Sequence, residues 1–142
     1  MLFRSTKLPF YKIKEKVIEV LRLVNLTDDI LDLYPSDLSG GMRKRVALAR
    51  AIIQEPEYLI YDEPTTGLDP VTAEEIIKLI NKLNKDLDMT SVVITHDPEC
   101  IKVITQKLIM LDSGKIIFND DFSKFAECEH KSARSFYEHI YG

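Results

Sequence analysis

At 142 residues the chain is long enough for one domain with a genuine core. Hydrophobic content of 45% and charged content of 30% exclude an intrinsically disordered chain. With 19 basic against 23 acidic residues the net charge is −4, which excludes a global field that would recruit nucleic acid or an anionic membrane.

Basic residues do gather near the start, at Arg4, Lys7, Lys12, Lys14 and Lys16, but they are spread through an amphipathic pattern and read as a solvated face. Ile13, Val17, Val20, Leu21 and Val24 recur at helical spacing beyond Pro9, predicting a first helix. Asp28-Asp29 and Pro35 mark turns. A second helix is expected from about Gly41 to Gln54 and is stopped by Glu55-Pro56. Tyr58 to Asp62 reads as a short buried strand. Asp69-Pro70 then supplies an N-cap and a first-turn proline for a third helix carrying Ile76, Ile77, Leu79, Ile80 and Leu83 inward. Ser91 to Thr95 is a second buried strand, and Asp97-Pro98 starts another helix. Lys107 to Asp112, Ser113-Gly114 and Lys115 to Asn119 read as a hairpin, with short helices over 122–126 and 132–141 closing the chain. Alternating strands and long helices imply an α/β fold with a mostly parallel sheet and helices on both faces.

Cys100 and Cys128 fit no metal spacing and no disulfide framework, so a reducing compartment is the default. No apolar run approaches the ~18 residues needed to cross a bilayer, and no signal-peptide pattern is present. The expectation is a cytoplasmic protein that meets a membrane only through a partner.

Four places carry chemistry. Ser39-Gly40-Gly41 stands where the second helix begins, so a hydroxyl, unpaired N–H groups and the positive end of the helix dipole face an anion there. Glycine lets the backbone approach a phosphate closely; an ordinary capped turn has the same composition. Asp62 and Glu63 are adjacent at a strand end, one suited to Mg²⁺ and one to activating water, although plain strand termination would look alike. Asp69 is a sound N-cap. His96 follows Val92-Val93-Ile94-Thr95 at a strand end, where a histidine can also be a satisfied turn residue.

Taken together, Leu38-Ser39-Gly40-Gly41-Met42 followed by Arg43-Lys44-Arg45, and Tyr58-Leu59-Ile60-Tyr61-Asp62-Glu63-Pro64 followed by Thr65-Thr66-Gly67-Leu68-Asp69-Pro70, resemble the signature, Walker B and D-loop motifs of ABC-type ATPases. The resemblance covers nearly the whole chain. It implies a RecA-like P-loop NTPase core preceded by a helical subdomain (residues 1–40), then the signature helix and core (41–119) and C-terminal helices (120–142). It implies ATP and Mg²⁺ as ligands. Ser39, Gly40 and Gly41 would meet the γ-phosphate of ATP held by a second subunit, Asp62 would hold Mg²⁺ through water, and Glu63 would polarise the attacking water. Asp69 would lie in the loop that crosses the dimer interface, and His96 would be the switch histidine touching the γ-phosphate. The implied partners are a second ABC ATPase subunit and an integral membrane permease docked on the helical subdomain; no nucleic acid is expected.

One part of the family pattern is missing. No G-x-x-x-x-G-K-[ST] cradle occurs; the sole Gly-Lys pair, Gly114-Lys115, precedes Ile116. The glutamine expected ahead of the signature is missing too, since Gln54 and Gln106 follow it. The chain is therefore expected to correspond to the C-terminal half to two-thirds of a nucleotide-binding domain. A non-transport ABC ATPase and a regulatory module without its own ATPase activity are the rival readings. Arg4, Thr6, Leu8 and Pro9, Met42, and the tail Arg134-Ser135-Phe136-Tyr137 resemble the ATPases of lipid-asymmetry (Mla-like) transporters, which implies phospholipid transport.

Overall fold

A computed structural model describes residues 9–141. Arg4, Thr6, Lys7 and Leu8, which entered the charge and subclass readings, lie outside the described residues. The chain forms two compact units, Met1–Ile94 and Thr95–Gly142.

In the first unit, α1 (Phe10–Leu23) begins after Pro9, whose fixed φ suits a helix entrance. Its Val20 and Leu21, with Val24 just beyond, are buried. Two short 3₁₀ turns, Asp28–Asp32 and Pro35–Asp37, lead to α2 (Gly40–Ile52), β1 (Tyr58–Asp62), α3 (Pro70–Asp86) and β2 (Thr90–Ile94). The three helices stop without glycine. Asn25, Glu55 and Asp88 follow α1, α2 and α3 at φ 56°, 52° and 49°, taking the left-handed conformation that ends many helices. Pro56 then bars any continuation of α2.

β1 and β2 pair in parallel, with Tyr58 opposite Thr90 through to Asp62 opposite Ile94. α3 covers one face of this pair. Its Ile76, Ile77, Ile80 and Leu83 are almost wholly buried, and burying apolar side chains like these is worth roughly 1.5–3 kcal/mol each. Two polar contacts fix the helix laterally: the Tyr61 hydroxyl donates to Asn84 Oδ1 at 3.4 Å, and Asn84 Nδ2 donates to Ser91 Oγ at 2.8 Å. Desolvation pushes the Tyr61 phenol up to about 12. The opposite face departs from the expected cover on both sides. Tyr58, Ile60, Val92 and Ile94 are 73%, 67%, 56% and 53% exposed, so their apolar character is unspent among the described residues.

In the second unit, Asp97 caps α4 (Pro98–Ile104) by accepting from Glu99 N at 3.0 Å and Cys100 N at 3.4 Å. β3 (Lys107–Asp112) and β4 (Lys115–Asp121) form the expected hairpin, closed by Ser113-Gly114 with φ 49° and 75°. Positive φ at both turn residues matches the right-handed twist of the strands. This hairpin is a sheet of its own rather than an extension of the parallel pair. After a 3₁₀ turn (Phe122–Glu127), α5 (Lys131–Tyr141) packs its Ala133 and Ile140 with Ile101 and Phe125. Phe125 meets the rings of Phe118 and Tyr137 edge-on, with centroids 5.0 and 5.9 Å away. Ser132 Oγ donates to Asp112 at 2.6 Å and pins the start of α5 to the hairpin. No helix among the described residues is long and apolar enough to cross a membrane.

The bare face of β1 and β2 should make the protein associate in solution, since an apolar strand surface recruits any similar surface. Val92→Lys places a charge in the middle of that face at an exposed position. Size-exclusion chromatography should show the elution shift towards monomer with unchanged circular dichroism; an unaltered elution profile would mean that association, if present, runs through another surface.

Candidate functional site

Ser39 is the N-cap of α2, with extended backbone and its Oγ accepting from Met42 N at 3.2 Å. The N–H groups of Gly40 and Gly41, in the first turn, have no intrahelical acceptor and leave the positive end of the helix open to an anion. Both glycines also have a packing reason. A Cβ on Gly41 would stand 2.7 Å from Thr72 Cγ2, and one on Gly40 would stand 3.3 Å from Leu68 Cδ2. The expected phosphate-facing turn therefore rests directly on the start of α3.

Asp62 ends β1 and is exposed, so it does not sit in the non-polar setting that would force a bound cation. Glu63 follows, half-buried. Its N–H donates to Ile94 O at 2.9 Å, carrying the strand pairing one residue past Asp62. Its backbone then turns left-handed at φ 47°, a conformation that costs a non-glycine residue on the order of 1 kcal/mol. Thr66 Oγ1 donates to Glu63 Oε2 at 2.9 Å, and the Glu63 carbonyl accepts from Lys44 Nζ at 3.1 Å and Thr66 N at 3.4 Å. These contacts hold an otherwise unfavourable backbone in place.

Asp69 caps α3 as expected. Oδ2 accepts from Thr72 Oγ1 at 2.6 Å and Oδ1 from Thr72 N at 3.0 Å. The Thr72 hydroxyl first, and then its N–H, hold the Asp69 carboxyl below its ordinary value. A depressed carboxylate stabilises the fold above its unfolded pKa, near ~3.9, and loses that contribution as pH falls through the lower folded value. His96 belongs to the second unit, exposed in the segment between β2 and α4.

The first unit thus brings Gly40 and Gly41 against Leu68 and Thr72, with Glu63 tied to the same helix through Lys44. Lys44 and Thr66 fall within motifs that carry the resemblance but are given no role by the sequence, and Thr72 is not singled out there. Thr72 stands three residues after the N-cap Asp69, a spacing at which a side chain commonly meets its cap; Lys44 carries no comparable local signal. Among the described residues no group of three or more His, Cys, Asp or Glu could hold a metal ion. One exposed carboxylate at Asp62 suits Mg²⁺ that keeps most of its waters and shares phosphate oxygens.

A helix start capped by Ser39, tied through Lys44 to a strand that ends in adjacent carboxylates and runs into a capped loop, is the arrangement to set beside known proteins. Residues 8–66 match the family model described as ABC transporter. The chain is 41% identical over 134 residues to the methionine import ATP-binding protein MetN of Haemophilus ducreyi, covering 94% of this chain and 39% of that protein. Among solved structures it is similar to the cbiO1 protein of Clostridium perfringens, part of the ABC transporter complex cbiONQ, with TM-score 0.75, 31% identity and coverage of 96% of this chain and 53% of that one. It is also similar to the ATP-binding cassette MJ0796, a dimer bound to ADP and Pi, with TM-score 0.71, 30% identity and coverage of 84% and 51%. The chain is similar in sequence to ABC transporter ATP-binding proteins and shares the α/β fold of ATP-binding cassettes. It spans about 39% of the length of the curated relative first named.

The close approach at Gly41 makes a specific expectation. Gly41→Ala should lower stability by about 1–2 kcal/mol in thermal or urea unfolding, because overpacking costs about 1–3 kcal/mol and outweighs the gain in helix propensity. Thr72→Ser removes Cγ2 and keeps the hydroxyl on Asp69, so the double variant should recover most of the loss. Additive losses would show that Gly41 is not constrained by Thr72.

Proposed function

We propose that this chain forms part of the ATP-hydrolysing subunit of an ABC importer, with residues 1–40 contributing to the helical subdomain, 41–119 the signature helix and core, and 120–142 the C-terminal helices. The observation that carries the reading is the pairing, within one unit, of the Ser39-capped helix start with the Asp62-Glu63 strand end. Two such subunits would enclose ATP between them. Ser39, Gly40 and Gly41 would donate to the γ-phosphate held on the opposite subunit, where backbone N–H groups stabilise charge that develops during phosphoryl transfer. Asp62 would hold Mg²⁺, which neutralises phosphate charge when bound. Glu63 would accept a hydrogen bond from the attacking water, its turn restrained by Lys44 and Thr66. His96 would contact the γ-phosphate, and Asp69 would set the start of the helix behind the interface loop. The work of closure would pass to a membrane permease, placing the protein at the cytoplasmic face of the membrane.

The identity to a methionine import protein favours import of that substrate. The relatives named above do not support the lipid-transport subclass, and its N-terminal markers Arg4, Thr6 and Leu8 lie outside the described residues. A regulatory module without its own turnover is the second reading.

Ground-state affinity for a triphosphate comes chiefly from a glycine-rich cradle and its lysine, so the 142-residue chain alone should not bind Mg-ATP at micromolar concentration. Calorimetric titration checks this, and micromolar affinity would reveal a phosphate site other than the one described. In a version extended by a P-loop, Glu63→Gln should keep ATP binding and slow hydrolysis by about 10²-fold or more, because it preserves shape and removes the accepting charge. Hydrolysis close to that of the unsubstituted extended protein would remove Glu63 from the role, and no hydrolysis even without the substitution would favour the regulatory reading.

A further inference from the structure

Three consecutive basic residues on the second turn of α2 each reach a backbone carbonyl in a different segment. Arg43 Nη1 donates to Leu38 O at 2.7 Å, in the loop before the helix. Arg45 Nη1 donates to Val24 O at 3.4 Å, at the end of α1, while Nη2 pairs with Glu75 on α3 at 2.7 Å. Lys44 Nζ donates to Glu63 O at 3.1 Å across 19 residues of chain. Successive helical residues project about 100° apart, so one turn can address three neighbours. These side chains do not form an open basic patch for an anion; they orient the helix.

Of the three, only Lys44 is bonded to the carboxylate-bearing turn, and its acceptor is the residue with left-handed backbone, φ 47°. The same carbonyl also takes the Thr66 N–H at a longer 3.4 Å, and Thr66 Oγ1 holds the Glu63 carboxylate at 2.9 Å. An ammonium donor makes the stronger of the two bonds to the carbonyl. Removing it would take the stronger of these two bonds from the carbonyl and loosen the turn on the side that faces α2.

We propose that Lys44 is a positioning residue that ties the Glu63 turn to the helix whose N-terminus carries Ser39, so that a phosphate seated on that N-terminus biases the carboxylate end of the same chain. Under the function proposed above, on which this rests, those two ends serve different ATP molecules. Lys44 is then a link between two nucleotide sites inside one chain. Ser39 and Lys44 are five residues apart, about 7.5 Å of helix rise, a span over which an α-helix moves as a rigid body.

Amide hydrogen exchange on the full chain, without nucleotide, tests the link and does not depend on ATP turnover. Lys44→Met keeps an unbranched side chain one atom shorter and removes the donor. It should speed exchange of the Thr66 and Leu68 amides about fivefold, the scale of one net hydrogen bond, while Ile77, Ile80 and Leu83 in α3 stay unchanged. Lys44→Arg should retain most of the protection. Arg43→Met, which removes a neighbouring charge not bonded to the turn, should leave Thr66 unaffected. Ser39→Ala, which loosens the helix start, should raise Thr66 exchange about twofold with Lys44 present and have no effect in the Lys44→Met background. Unchanged Thr66 exchange in Lys44→Met, an Arg43→Met effect of equal size, or a Ser39→Ala effect that persists without the lysine would each overturn the proposal. Failure of the ATP reading shows separately, in the nucleotide titration and the Glu63→Gln kinetics.

Discussion

The first turn of α2 comes so close to the first turn of α3 that a Cβ on Gly41 would meet Thr72 Cγ2 at 2.7 Å. Everything around the site follows from that approach. Both helices start with a cap that works by the same device, a side-chain oxygen accepting from the N–H three residues on, Ser39 for α2 and Asp69 for α3. Two positive helix ends thus lie close together. The Thr72 hydroxyl and N–H occupy the Asp69 carboxylate, while the first turn of α2 keeps unpaired N–H groups.

The second constraint is electrostatic. α2 carries Arg43, Lys44 and Arg45 in a row, and each finds a carbonyl or carboxylate in a different part of the first unit. Charge-assisted bonds of this kind are directional and partly shielded from water, so they define where the helix sits more tightly than apolar packing alone. The apolar side of α2, with Leu48, Ala49 and Ile52 buried, supplies burial, and the basic turn supplies register.

Much of this was legible in the sequence. Periodicity located α1, α2 and α3, and the Asp-Pro pairs at Asp69 and Asp97 marked helix starts that the structure shows as capped. Ser113-Gly114 identified the hairpin turn. Helix ends were harder to read because Asn25 and Asp88 adopt left-handed backbone without glycine, and only Glu55 had a proline behind it as a flag. The expected two-sided cover of the strands was not met. An apolar run such as Tyr58 to Asp62 implies burial on both faces, but periodicity cannot say whether the covering element lies within the residues at hand, and Ile60 is 67% exposed. At the site, local motifs pointed to Ser39, Gly41, Asp62 and Glu63, whereas the bond from Lys44 to Glu63 and the contact of Thr72 with Gly41 join residues far apart in the chain. Such pairings leave no trace in a short window.

The left-handed backbone at Glu63 has a bearing on how the protein can change. Glycine relaxes there at no steric cost, whereas a β-branched residue would resist the conformation. The substitution that most eases the chain is therefore the one that deletes the carboxylate. Under the role proposed for Glu63, stability and chemistry would pull in opposite directions at this position, and a library screened only for heat resistance would accumulate variants without the carboxylate at residue 63. Variants that keep the carboxylate must gain their robustness elsewhere, in α3 or in the aromatic cluster around Phe125, where no such conflict exists.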